Sequence, residues 1–398
     1  MLTGGGASER TARSSNLELA RIVAMLSIVA HHYVVNSGAI EAISQAGEGP
    51  NALLLQLWGM WGKTAINVFV LITGYFMCEK DFRWRRVAKL VFQIEFWKVA
   101  LLPLFLFAGL PLKAGIKGAL SIAFLPLLSV NDGFTASFLV FYLAMPFLKL
   151  LIDSGGRSMH AAALGLLLAV DTVSFTFFRN SAAFTEVSWY CALFLIAAWL
   201  RRYPPAFIDD NRACRDLFAG SVALAVATVL AIDALCAALG VPWFEKGLYF
   251  VDQSGKAMAL AVGLACFLFF RTAPIPQSRP INAVASTTFG VLLVHANSDA
   301  MRKVLWQDLL DVPAAYGLPL SLLVLHAVGS MLGVFAASSL LDWLRLRYIE
   351  PRCMAWYDAN EEKMTRTFSL VARIPGRILC RFEARLASVS VRDPSMED

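Results

Sequence analysis

Residues 16–33 read Asn-Leu-Glu-Leu-Ala-Arg-Ile-Val-Ala-Met-Leu-Ser-Ile-Val-Ala-His-His-Tyr. Apart from Glu18, Arg21, His31 and His32, the run is dominated by apolar helix formers and holds neither Gly nor Pro. With its flanks it gives a helix over Leu17–Val35, close to the roughly 20 residues needed to cross a bilayer's hydrocarbon core. A polar start, Met1–Ser15, leads into it without a small-residue cleavage site, so the segment is expected to persist as a first membrane span. The polar residues inside that span then become the informative ones, because ionisable groups at membrane depth face a bundle interior or a wet cavity.

The rest of the chain repeats the apolar theme. Of 398 residues, 58% are hydrophobic and 16% charged, against about 25% charged in a soluble domain. Further spans are expected at Trp61–Cys78, Val87–Leu110 with Pro103 inside, Phe134–Ile152, His160–Phe178, Val187–Leu200, Leu217–Leu239, Ala257–Phe270, Ser286–Ser298 extending through Met301, and Leu318–Leu344. The shorter apolar stretch Ile116–Val130 contains Pro126 and is either an added span or a re-entrant piece.

Charge fixes the orientation. Arg10 and Arg13 precede the first span, whereas the next loop, Gly38–Gln56, carries Glu41 and Glu48 and no Lys or Arg. Basic residues then gather at Lys80–Lys89, Arg201–Arg215, Arg271–Arg279 and Arg345–Arg352. All four clusters fall inside if Ile116–Val130 does not cross. The fold expected is therefore an all-α polytopic bundle of about ten transmembrane helices with both termini cytoplasmic. A polar tail at 1–15 and a basic tail at 348–398 would flank the transmembrane domain, 16–347.

Within the second tail, Arg366, Arg373, Arg377, Arg381 and Arg385 alternate with apolar residues in a pattern suited to an anionic lipid surface. The net charge of +6 is distributed as membrane anchors, not as a nucleic-acid footprint. The seven cysteines form no C-x-x-C pair, and neither a disulfide framework nor a metal site is expected.

At about 100° per residue, Arg21 and His32 lie about 20° apart on a helical wheel, and Glu18 falls within about 60° of both. His31 sits to the flank of this stripe. Arg21 and His32 are separated by about 16 Å along the axis, roughly half the hydrocarbon thickness. A neutral imidazole in the outer half of the membrane can take a proton from a hydroxyl, as acyl transfer to an alcohol requires. The bland reading makes both histidines interfacial caps.

The same residues resemble the membrane-bound acyltransferase 3 family, which includes bacterial O-acetyltransferases of surface polysaccharides. That family opens with an acidic residue, two further residues, Arg, and an apolar stretch ending in His, here Glu18, Arg21 and His32. Asn67–Phe76 is similar to its second-helix block, with Thr73 for Ser, and Arg86-Val-Ala-Lys89 to its basic Arg-x-x-Arg. Ser137–Pro146 resembles its Y-x-x-x-Y-L-x-x-P helix, with Phe138 for the first Tyr, Tyr142 retained as the second, and Gly133 where Trp is usual. Phe289–His295 resembles a later block ending in His, with Leu where Tyr is expected.

The resemblance implies transfer of an acyl group, usually acetyl, from acyl-coenzyme A to a hydroxyl of a cell-surface or exported glycan or lipid-linked sugar. No permanently bound cofactor is implied, and the location would be a bacterial plasma membrane. Arg21, Arg86 and Lys89 would hold the anionic donor, and His295 and Tyr142 would lie on the substrate side. His32 would act as general base, with Glu18 and Arg21 supporting it and His31 as the alternative base. His160 and His326 are expected to be structural. A proton-coupled transporter using Glu18 and His32 as a relay, or a non-catalytic membrane scaffold, are the competing classes, and the chain shows no internal repeat of the kind many transporters carry.

Overall fold

The computed structural model describes residues 14–107, 133–181 and 184–363. The chain divides into two compact units, Met1–Trp343 and Leu344–Asp398. Every regular element among the described residues is helical, which bears out the all-α expectation. The longer helices are α1 (Ser15–Val35), α2 (Ala39–Ala46), α3 (Pro50–Gly59), α4 (Gly62–Met77), α5 (Trp84–Phe107), α6 (Phe134–Ser154), α7 (Gly156–Phe177), α8 (Glu186–Arg202), α9 (Asn211–Ala238), α10 (Ala257–Thr272), α11 (Arg279–Ala285), α12 (Thr288–His295) and α13 (Leu320–Leu344).

Among the described residues, five helices are long and apolar enough to cross a membrane: α1, α6, α7, α9 and the helix beginning at Leu320. The other expected spans are shorter or carry more charge than these five. Helices α4, α8 and α10 have 16, 17 and 16 residues. Helix α5 has 24 residues and continues through Pro103, but it carries Arg85, Arg86, Lys89, Glu95 and Lys98. The expected ninth span, Ser286–Met301, is two pieces. Helix α12 stops at His295 after eight residues, and Ser298 restarts the chain by capping the Met301 N–H at 3.3 Å. The intervening 296–298 are non-helical. The loop after α1 also holds more order than a connecting segment, since α2 and α3 fold within it and α3 packs against α1.

Helix α4 is the hub, packed against α1, α8 and α10. Val68, Leu71 and Ile72 of α4 share one core with Ala24, Met25 and Ile28 of α1 and with Leu193, Phe194 and Ala197 of α8. The fully buried Asn67 ties three helices together. Its Nδ2 donates to the carbonyls of Ser254 (2.8 Å) and Ala259 (3.1 Å), and its Oδ1 accepts from Trp189 Nε1 at 2.8 Å. Each such bond contributes on the order of 1 kcal/mol, more if its partner would otherwise be stranded in lipid.

Helix ends sort by charge. Asn16 at the start of α1 donates to the carbonyl of Arg271, and Ser15 bonds Asn282 and Ser278. Arg271 pairs with Asp209, Arg202 with Glu79 and Asp153, and Lys149 with Asp81. The basic clusters after α4, α8 and α10 therefore share the end at which α1 begins, the end that the positive-inside rule assigns to the cytoplasm. Helix α5 starts from this end and α6 returns to it. The segment Ile116–Val130 lies outside the described residues, as do the N-terminal tail to residue 13 and the amphipathic stretch 366–385. In the second unit, Arg345 pairs with Glu350 at 2.6 Å.

Candidate active site

The two histidines that end α1 point to different neighbours. His31 Nδ1 donates to the Gly59 carbonyl at 2.6 Å, and its ring occupies the space that a side chain on Gly62 would take. That ring is locked into the α3–α4 junction. His32, on the adjacent face, places Nδ1 2.9 Å from Nε2 of His295 on α12. His295 is fully buried, and its own Nδ1 lies 2.6 Å from the Val291 carbonyl one turn earlier.

A tautomer follows from this chain of contacts. The Val291 carbonyl only accepts, so Nδ1 of His295 carries the proton. Neutral His295 then offers a lone pair at Nε2. His32 must donate to it from Nδ1, which leaves Nε2 of His32 as the unprotonated nitrogen. A neutral imidazole held in this way is a base at a known atom.

His32 also lines a cavity of about 140 Å³. The other described residues around it are Ile94 and Lys98 of α5, Gly133, Phe134 and Thr135 at the start of α6, Leu292 and Leu293 of α12, and Ala296, Asn297 and Arg302 beyond it. The non-helical 296–298 stretch thus has a physical setting. Irregular backbone at membrane depth is tolerated where it lines a polar cavity.

The other polar residues of the α1 stripe sit toward the basic end. Arg21 Nη1 pairs with both carboxylate oxygens of Glu18, at 3.3 and 3.4 Å. Arg21 and Arg86 both act electrostatically on Lys80. Burial, Arg86 and Arg21, in that order, push the Lys80 ammonium below its ordinary pKa. Arg86 hydrogen-bonds Tyr142 of α6. Beside them, Arg201 lies over the Tyr75 ring at 4.7 Å, and Arg271 hydrogen-bonds the Tyr75 hydroxyl. Lys89 is exposed, one helical turn beyond the half-buried Arg86.

The expected site residues therefore form two groups. His32 meets His295 beside the cavity, away from the basic end. Glu18, Arg21, Arg86 and Tyr142 gather at the basic end, and neither they nor Lys89 nor His31 line that cavity. Tyr142 lies with Arg86, on the side of the basic cluster. His160 Nε2 donates to the Leu195 carbonyl at 2.9 Å, and His326 bonds the Tyr33 hydroxyl at 2.7 Å, both away from the cavity. Sequence reasoning passed over Lys98, Arg302, Asn297 and Thr135 at the cavity, and Tyr75 with Arg201 and Arg271 at the basic end. The signal available for Lys98 and Arg302 was their position, since both stand away from the side that positive-inside bias favours.

Against known proteins, the sequence profile of a family described as an acyltransferase domain matches residues 14–343. No curated protein and no solved structure matches the chain.

Proposed function

We propose, starting from a chain that belongs to the membrane acyltransferase 3 family, that this acyltransferase moves an acetyl group from acyl-coenzyme A to a hydroxyl of a cell-surface or exported glycan in a bacterial plasma membrane. The observation that supports the reading is the His32–His295–Val291 chain, which leaves Nε2 as the unprotonated nitrogen of His32, a residue that lines a polar cavity away from the basic cluster.

The donor's phosphates suit the basic end. Arg21, Arg86 and Lys89 offer charge-assisted hydrogen bonds there, joined by Lys80, and the two guanidiniums supply planar forks that Lys does not. The thioester then has to reach across the length of α1 that separates Arg21 from His32, about 16 Å. At the cavity, His32 Nε2 takes the proton of the acceptor hydroxyl as its oxygen attacks the thioester carbonyl. The new C–O bond forms, the C–S bond breaks, and the thiolate leaves with the proton that His32 returns. His295 accepts from His32 Nδ1 throughout and steadies the positive charge that develops on the ring, the orienting role that a carboxylate fills in hydrolytic triads. Glu18 acts through Arg21, turning its guanidinium.

His32→Ala tests the reading. The variant is expected to express and to bind acyl-coenzyme A while glycan acylation drops by about 10²–10⁴, the contribution of a positioned base. Activity retained within a few fold would remove His32 from the chemistry. A transporter or scaffold need not bind acyl-coenzyme A at all, so the binding arm separates those classes.

A further inference from the structure

The cavity has an electrostatic character that acyl transfer to a plain sugar hydroxyl does not need. Two of its lining residues, Lys98 and Arg302, are cations, and none of the described lining residues is an acid. They come from elements 204 positions apart in sequence and converge on one small space. Each has an acidic neighbour one turn away on its own element, Glu95 Oε1 at 3.6 Å from Lys98 Nζ and Asp299 Oδ1 at 3.1 Å from Arg302 Nη1. Neither acid lines the cavity. Arg302 also acts electrostatically on His32, as does Lys63 at the start of α4.

Lys98 lies about 21 Å along α5 from its first residue, in a helix whose other Lys and Arg residues lie in its first two turns. An anion bound in the cavity would meet both cations at once through charge-assisted hydrogen bonds, and its charge would offset their field at His32.

We infer that the cavity selects an anionic acceptor, a sugar carrying a carboxylate or phosphate that Lys98 and Arg302 hold while His32 deprotonates a nearby hydroxyl. The inference rests on the acyl-transfer reading and adds the chemical class of acceptor. Asn297 and Thr135 supply neutral hydrogen-bonding groups on the same wall and suit the uncharged hydroxyls of the ring.

The test uses the full chain in lipid nanodiscs with acetyl-coenzyme A and three acceptors: methyl β-glucoside, methyl β-glucuronide and glucose 1-phosphate. The wild type is expected to favour at least one anionic acceptor over the glucoside by 10-fold or more in kcat/KM, since a hydrogen bond to a charged group contributes about 1.5–3 kcal/mol. Which anion is preferred separates a sugar acid from a phosphorylated, carrier-linked sugar. Lys98→Gln and Arg302→Gln should each collapse that ratio toward one, and Arg302→Lys should keep part of it. A wild type indifferent to acceptor charge overturns the inference and leaves acyl transfer standing. So does a fall of equal factor on all three acceptors in both Gln variants, which would make the cations stabilisers of the tetrahedral oxyanion. If none of the three sugars is acylated, the glycan reading fails and this inference fails with it.

Discussion

His32 and His295, 263 positions apart in sequence, meet through Nδ1 and Nε2 at 2.9 Å. The second ring contributes by its lone pair, not by charge. Because the Val291 carbonyl holds the proton of His295 on Nδ1, His295 accepts from His32 and sets its tautomer.

The first prediction removes that acceptor. His295→Ala should lower kcat by about 10²–10⁴, by analogy with the loss when a catalytic histidine is left in the wrong tautomer. Acyl-coenzyme A affinity should change little. His295→Gln offers an oxygen acceptor and should lie between Ala and wild type. Steady-state turnover in nanodiscs, alongside equilibrium donor binding, measures both. Full activity in His295→Ala would show that His32 needs no orienting partner.

The second prediction separates the adjacent histidines. His31 is held by Gly59 and packed on Gly62, so His31→Ala should keep turnover within about tenfold of wild type while lowering stability by about 1–3 kcal/mol, a truncation with a lost hydrogen bond. Gly62→Ala crowds the same ring and should destabilise by a similar amount through overpacking. Thermal unfolding of the purified chain reads the stability, and a catalytic collapse in His31→Ala comparable to that of His32→Ala would reverse the assignment.

The third prediction concerns the basic end. Arg21→Gln and Arg86→Gln should each raise the KM for acyl-coenzyme A about 10–100-fold, the loss of a charged hydrogen bond, with smaller change in kcat. Lys89→Gln should do less, because Lys89 is exposed and Arg86 is half-buried against Tyr142. Wild-type donor affinity should weaken as salt rises, and less steeply in each variant. Affinities that ignore both salt and substitution would place the donor elsewhere.

Much of this was legible in the sequence because it is local. The Glu18–Arg21 pair is an i, i+3 relationship that helix geometry imposes, and the end at which basic residues collect follows from their loops. The wheel also separated His32 from His31. What stayed hidden depends on contacts between distant segments. His295 was visible as a polar residue in an apolar run, but nothing in that run names its partner. The break after His295 escaped notice because Ser298 caps a new turn without interrupting the apolar run. Helices α2 and α3 escaped because neither is long enough to announce a span. Lys98 and Arg302 are far apart in sequence, and only the fold sets them on one wall.

Between Arg21 and His32, α1 buries Ala24, Met25, Ile28 and Val29, an apolar stretch separating its two polar ends. In the proposed reaction the acyl group would pass this stretch outward as the equivalent of an acylium cation, and the hydrogen it displaces would come inward on the sulfur of the spent thiol. One unit of positive charge would move each way, so the exchange would be electrically silent and the voltage across the bilayer would neither drive nor oppose it. Thioester cleavage alone would then supply the driving force, and such a reaction would draw on no ion gradient.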